Sequence, residues 1–164
     1  MKRLFSITLV MLLSSTMFFT VVYAGEHELV KPTKGTWSGV TYFLGPTASC
    51  PTTMIQAIGK GVMTLTGESQ WIAEPACLDA SGFASGPAVI TAANGDQINL
   101  MTGIQFIPDP SGTAGMWVQD SIGIGGTGRF EGTGGSSHSE GVYKLLPSGT
   151  EGVWAGTNEG ELTF

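Results

Sequence analysis

Gly125-Gly126-Thr127-Gly128-Arg129-Phe130-Glu131-Gly132-Thr133-Gly134-Gly135 holds six glycines in eleven residues, around one basic, one aromatic and one acidic side chain. A stretch like this has two physical readings: it cradles phosphate, or it turns the chain tightly between strands. A phosphate loop needs Gly-Lys-Ser/Thr leading into a helix, and Arg129-Phe130 stands there instead. The dinucleotide fingerprint needs a βαβ unit, and no helical period follows. The turn reading fits. Glycine takes positive φ and lets backbone pass close to backbone. Gly125, Gly126 and Gly128 are therefore read as a structural motif in which Phe130 plugs the core. Arg129 and Glu131 are expected to point away and pair locally.

Working outward, Ala114 to Ile124 is the strand that enters the turn. Its even positions Met116, Val118, Ile122 and Ile124 are apolar, and Asp120 interrupts them. That pattern predicts an inner face carrying one carboxylate. Asp96 to Ile107 is the partner strand, with Ile98, Leu100, Ile104 and Phe106 on one face by the period of two. Pro108-Asp109-Pro110-Ser111-Gly112 joins the two. Asn94-Gly95 predicts a type I′ hairpin turn after a strand over Pro87 to Ala93. Beyond the glycines, Ser139 to Leu146 and Glu151 to Thr157 are strands joined at Pro147-Ser148-Gly149, and Glu161 to Phe164 extends the second. The first half reads as strands over Thr36 to Leu44, Thr52 to Ile58, Gly61 to Thr66 and Glu68 to Glu74. Gly59-Lys60-Gly61 is read as a bend or bulge, and Pro75 to Gly82 as a loop. About eight strands with short turns predict an all-β fold, a sandwich or an eight-stranded antiparallel up-and-down barrel. The barrel is preferred, because closure removes exposed edges.

The run Gly125 to Gly132, with an Ile-rich strand before it and Asn94-Gly95-Asp96 about 30 residues upstream, resembles the allene oxide cyclase-like barrels. Plant dirigent proteins carry a similar Gly-Gly-Thr-Gly-x-Phe stretch. The resemblance runs from about Ala88 to the C-terminus and departs after Gly132, where Thr133-Gly134-Gly135 replaces the usual Ala-Thr-Gly of secreted bacterial members. It implies a calycin-like eight-stranded barrel and, if plant-like, a trimer. It carries no catalytic residue onto this chain.

The N-terminus reads as an address. Lys2 and Arg3 precede an apolar run from Leu4 to Val22, and Val22-Tyr23-Ala24 offers small residues for cleavage before Gly25. This is the layout of a secretory signal peptide over residues 1–24. Residues 25–34 are read as a loose leader and 35–164 as one barrel domain. The expected location is secreted or periplasmic, with no membrane span in the mature chain. Loss of Lys2 and Arg3 leaves five basic against thirteen acidic residues, a net charge of −8. Such a chain lacks the basic footprint of a nucleic-acid binder.

Cys50 and Cys77 are the only cysteines. In an oxidising compartment they are expected to form a disulfide. Its loop of about 28 residues would stabilise the fold by about 3–4 kcal/mol. With only His27 and His138 as further soft ligands, no metal site is expected, and no cofactor. Asp120, Trp117, Trp37, Tyr42 and Tyr143 are the candidate cavity-lining residues. Trp71 and Trp154 either line a cavity or pack the core. His138, in the polar run Ser136-Ser137-His138-Ser139, is read as a loop residue, since a Ser-His catalytic pair needs a strained turn and an orienting acid.

The preferred function is non-catalytic: binding of a small apolar ligand, or a structural or interaction role in the cell envelope. One alternative is a cyclase- or dirigent-like enzyme, an isomerase that orients a reactive substrate in the cavity. The other is a filled barrel that works through its outer surface.

Overall fold

Nine strands make up most of residues 29–164, the part of the chain that the computed structural model describes. They are β1 (Val30–Thr47), β2 (Cys50–Met63), β3 (Gly67–Ala73), β4 (Ala76–Leu78), β5 (Phe83–Ala92), β6 (Gln97–Pro108), β7 (Ala114–Gly126), β8 (Gly134–Leu145) and β9 (Glu151–Thr163). Eight of them pair antiparallel with their neighbours, and the β1–β2 pairing closes the ring. The fold is an eight-stranded antiparallel barrel. The short β4 is extra and pairs with the start of β2. The predicted signal peptide lies outside the described residues.

The strands run further than their patterns predict. β1 begins at Val30, which pairs with Thr163, so Val30 to Lys34 is barrel and not leader. β2 is continuous through Gly59-Lys60-Gly61, where a bend is predicted. β8 begins at Gly134, which puts His138 in a strand instead of a loop. The Asn94-Gly95 turn also differs from the type I′ prediction. Among the described residues only glycines have positive φ, Gly95 at 89° among them. Gly95 N–H donates to Ala92 O at 2.9 Å and Ala92 N–H to Asp96 O at 2.9 Å. That is a three-residue loop with a glycine bulge, the next most favoured hairpin connection.

Gly59 stays in a strand because of what lies over it. Along the inner wall Trp71 faces Gly59, Gly59 faces Gly39, and Gly39 faces Trp154. A second row has Trp117 facing Gly141, Gly141 facing Gly156, and Gly156 facing Trp37. Each row sets two indoles over two glycines. A Cβ on Gly59 would lie 2.5 Å from Trp154 Cη2, and one on Gly156 would lie 2.5 Å from Trp117 Cζ2. Small residues opposite large ones are how a narrow barrel fills its interior. All four tryptophans of the chain are used in these rows.

The glycine-rich link between β7 and β8 crosses one end of the barrel, here called the lower end. A single 3₁₀ turn, Gly128–Phe130, carries Phe130 into the core at 2% exposure, against Phe164 and with Ile98 and Leu162 in the same cluster. Gly128 has φ 60°, and a Cβ there would strike the Asp96 carboxylate. Arg129 does not pair with Glu131. Its Nε lies 3.6 Å from Asp96 Oδ2, and its guanidinium covers the Phe130 ring at 4.8 Å. Thr127 completes the tie, exchanging hydrogen bonds with the backbone of Gln97 at 2.8 and 3.0 Å.

Candidate functional site

The face of β7 that turns inward decides what lines the barrel. Register pairs Phe106 with Trp117, Ile104 with Gln119 and Thr102 with Ser121. Trp117, Gln119 and Ser121 are therefore buried inside, while Met116, Asp120, Ile122 and Ile124 are exposed outside. This reverses the expectation drawn from the apolar even positions. The reason is that a strand's face is fixed by its register with the neighbours, and a shift of one residue moves every side chain across.

Three indoles form a layer across the middle of the barrel. Trp154 meets Trp71 edge-on at 5.6 Å and Trp117 edge-on at 5.7 Å. Above this layer a cavity opens at the upper end. Its walls come from β2, β3, β5, β6 and the β4 segment, with Ile55, Ala57, Ala84, Thr102, Ile104 and Phe106 among them. It leaves about 50 Å³ of free room, enough for about four water-sized groups. Its lining is mostly apolar, and among the described residues Glu74, exposed at the rim, is the only ionisable side chain in it.

The disulfide holds this end in shape. Cys50 at the start of β2 is bonded to Cys77 in β4. The bond and the β2–β4 pairing pin the β3–β5 connection, which forms one wall of the mouth, against the barrel. Two copies of one turn also belong to this end, Asp79-Ala80-Ser81-Gly82 and Asp109-Pro110-Ser111-Gly112. In each the serine hydroxyl donates to the aspartate Oδ1 at 2.6 Å. Those bonds, with backbone N–H groups beside them, hold both carboxyls below the usual carboxylate range. Tyr143 points inward here and meets Phe106 edge-on at 5.3 Å. Burial pushes its hydroxyl up from the usual value, and the Asp109 charge pushes it further.

Below the indole layer a second chamber, with about 40 Å³ of room, is lined by Trp37, Ile98, Leu100 and Leu162 but also by Thr33, Gln119, Ser121, Ser139 and Asn158. Gln119 Nε2 donates to Ser121 Oγ at 3.1 Å, and Asn158 Nδ2 to Ser139 Oγ at 2.9 Å.

Of the residues singled out from sequence, Trp117 borders both chambers and Trp37 the lower one. Tyr143 faces inward at the mouth but lines neither chamber. Tyr42, at an even position of β1 opposite Glu151 and Gln56, lies on the outer face. Asp120 is outside with its side chain 86% exposed. Its Oδ1 lies 2.8 Å from His138 Nδ1, directly across the β7–β8 pair. The same outer row continues to Glu159 and Lys34, which lie 4.0 Å apart. An Asp–His contact is part of a nucleophilic relay. Among the described residues, however, no serine hydroxyl bonds to His138 and no three His, Cys, Asp or Glu groups are placed to hold a metal. Pattern reading missed the Asp120–His138 pair because it depends on β8 starting at Gly134. It also missed Gln119, a polar position on a strand whose inner face was assigned by hydrophobicity, and Asn158, which lies beyond the predicted end of its strand at Thr157.

No family model matches this chain, and neither a curated protein nor a solved structure does. Among the described residues no helix is long and apolar enough to cross a membrane.

Proposed function

We propose that the protein is an exported barrel that binds a small apolar molecule in the upper cavity. One observation carries the reading: one end of the barrel holds an apolar slot floored by Trp71, Trp117 and Trp154, while Phe130 packs into the core at the other end. A concave apolar site with a few polar groups is the usual form of a small-molecule site. Indole floors give large, rigid contact area. The slot suits a short alkyl chain or the edge of a ring.

A cyclase-like enzyme would also have an open mouth. Asp120, one polar group that could have steered such a substrate, lies on the outside; Tyr143 faces inward at the mouth, and among the described residues no buried carboxylate lines the cavity. Binding without chemistry therefore has the better support. The resemblance of Gly125 to Gly132 to the allene oxide cyclase-like barrels belongs to the same proposal. It rests on the shared barrel architecture and the plug role of Phe130, and brings no catalytic residue with it.

Native mass spectrometry of the mature protein purified from its own host tests the reading. A retained neutral molecule of low mass is expected, released when the spray is heated. Only the bare protein mass, in repeated preparations, would sink it.

A further inference from the structure

The lower chamber holds buried polar atoms that nothing in the fold uses. Thr33 is 1% exposed and Asn158 9%, yet Thr33 Oγ1 and Asn158 Oδ1 have no hydrogen-bond partner among the described residues. The same is true of Trp154 Nε1, on the ring that borders both chambers. Such groups cost stability when left unpaired in an apolar setting. The amide of Asn158 is oriented by its own donor bonds to Ser139 Oγ at 2.9 Å and to His138 O at 3.4 Å, so its acceptor is the atom left over. In the lower chamber itself Asn158 Oδ1 offers an acceptor, and the Thr33 hydroxyl offers a donor and an acceptor.

We propose that the lower chamber is a head-group subsite for an uncharged hydroxyl compound, an alcohol with a slim apolar body that lies in the upper cavity. This deepens the proposed function and rests on it. A hydroxyl is the smallest group that serves an unpaired acceptor and an unpaired donor at once. A carboxylate or an amine is excluded by charge. Among the described residues no ionisable side chain lines the lower chamber, and an ion placed there without a partner is far costlier than a neutral group. The path between chambers runs past Trp154. It is only half-buried, unlike Trp71 and Trp117, and its ring lies over Gly39 and Gly59 with the edges of Trp71 and Trp117 beside it. Its ring turning aside admits the chain, and its emission reports the entry.

The test compares three ligands of one carbon length, hexane, 1-hexanol and hexanoate, at pH 8. Tryptophan emission of the mature, oxidised protein is followed, with calorimetry as the second readout. The expected result is 1-hexanol bound about tenfold more tightly than hexane, the range of one or two neutral hydrogen bonds, and hexanoate at least about a hundredfold more weakly than 1-hexanol. Thr33→Val, nearly the same shape without the hydroxyl, and Asn158→Leu should each narrow the alcohol preference toward twofold and leave hexane binding intact. Thr33→Val keeps the test open if Asn158→Leu fails to fold. Equal affinity for hexane and 1-hexanol overturns the subsite while leaving the apolar site standing. Hexanoate bound as well as 1-hexanol overturns it too, as does an alcohol preference that survives both substitutions. If none of the three binds, the apolar site itself is wrong and the subsite falls with it.

Discussion

Strands β6 and β7 are hydrogen-bonded neighbours that alternate apolar and polar residues in the same manner. In β6 the apolar set Ile98, Leu100, Ile104 and Phe106 faces in. In β7 the apolar set Met116, Ile122 and Ile124 faces out, at 51%, 54% and 55% exposure, and the indole of Trp117 goes in with Gln119 and Ser121. The hairpin at Asp109–Gly112 sets the register, and register allows β7 one choice of face. The chosen face buries its largest side chain. Burying an indole of 150–250 Å² is worth about 4–6 kcal/mol, and the half-exposed aliphatics outside keep part of their cover from neighbours. Counting apolar positions along a single strand therefore gives the right answer for β6 and the opposite one for β7. What distinguishes them is register: the β6–β7 pairing puts the even positions of β6 and the odd positions of β7 on the inner face.

The comparison can be broken at several points. Trp117→Ala should be the most damaging, lowering stability by about 3–5 kcal/mol in urea unfolding, because it empties the floor shared by both chambers. Ile98→Ala, at a position 0% exposed on β6, should cost about 3 kcal/mol. On the outward face of β7, Ile122→Thr and Asp120→Asn should each change stability by no more than about 0.5–1 kcal/mol. A large loss from either would mean that the register is wrong by one residue. The smallest effect belongs to the hairpin itself. Asp109 titrates lower in the folded chain than in the unfolded one, so its stabilising share is present above the unfolded pKa, near 3.8, and is lost as pH falls through the lower folded value. Asp109→Asn should lower the urea midpoint slightly at pH 7 and flatten its acid limb below about pH 4, so that variant and parent converge at the acid end.

Much of the fold is legible in the chain. Glycine turns and period-two strands mark the barrel strands, with β2 split at Gly59-Lys60-Gly61 and β4 taken for loop. Cys50 and Cys77 mark the bond between β2 and β4, and the glycine-rich stretch marks the turn that carries Phe130 into the core. The interior is less legible, for a physical reason. The paired rows Trp71–Gly59–Gly39–Trp154 and Trp117–Gly141–Gly156–Trp37 are assembled from four or more strands, and no single segment contains one. Gly59-Lys60-Gly61 looks like a bend because the indole that needs those glycines lies far along the chain. Asp120 looks interior because its own strand is apolar around it, and only the partner strands show that its face is the outer one. Thr33 and Asn158 come from β1 and β9, the first and last strands of the chain, and only the pairing of those two strands brings them to one chamber.

Xenon tests the central claim most directly, since it enters dry apolar cavities and ignores polar ones. The claim is that β7 turns Trp117 and not Asp120 inward, so that the upper mouth leads to a dry apolar slot. A crystal of the mature chain under xenon pressure should show a xenon peak in the upper cavity, among Trp71, Ile104 and Trp117, with the Asp120 carboxylate outside beside His138. An interior without a xenon peak, or with the Asp120 side chain inside the barrel, would contradict it.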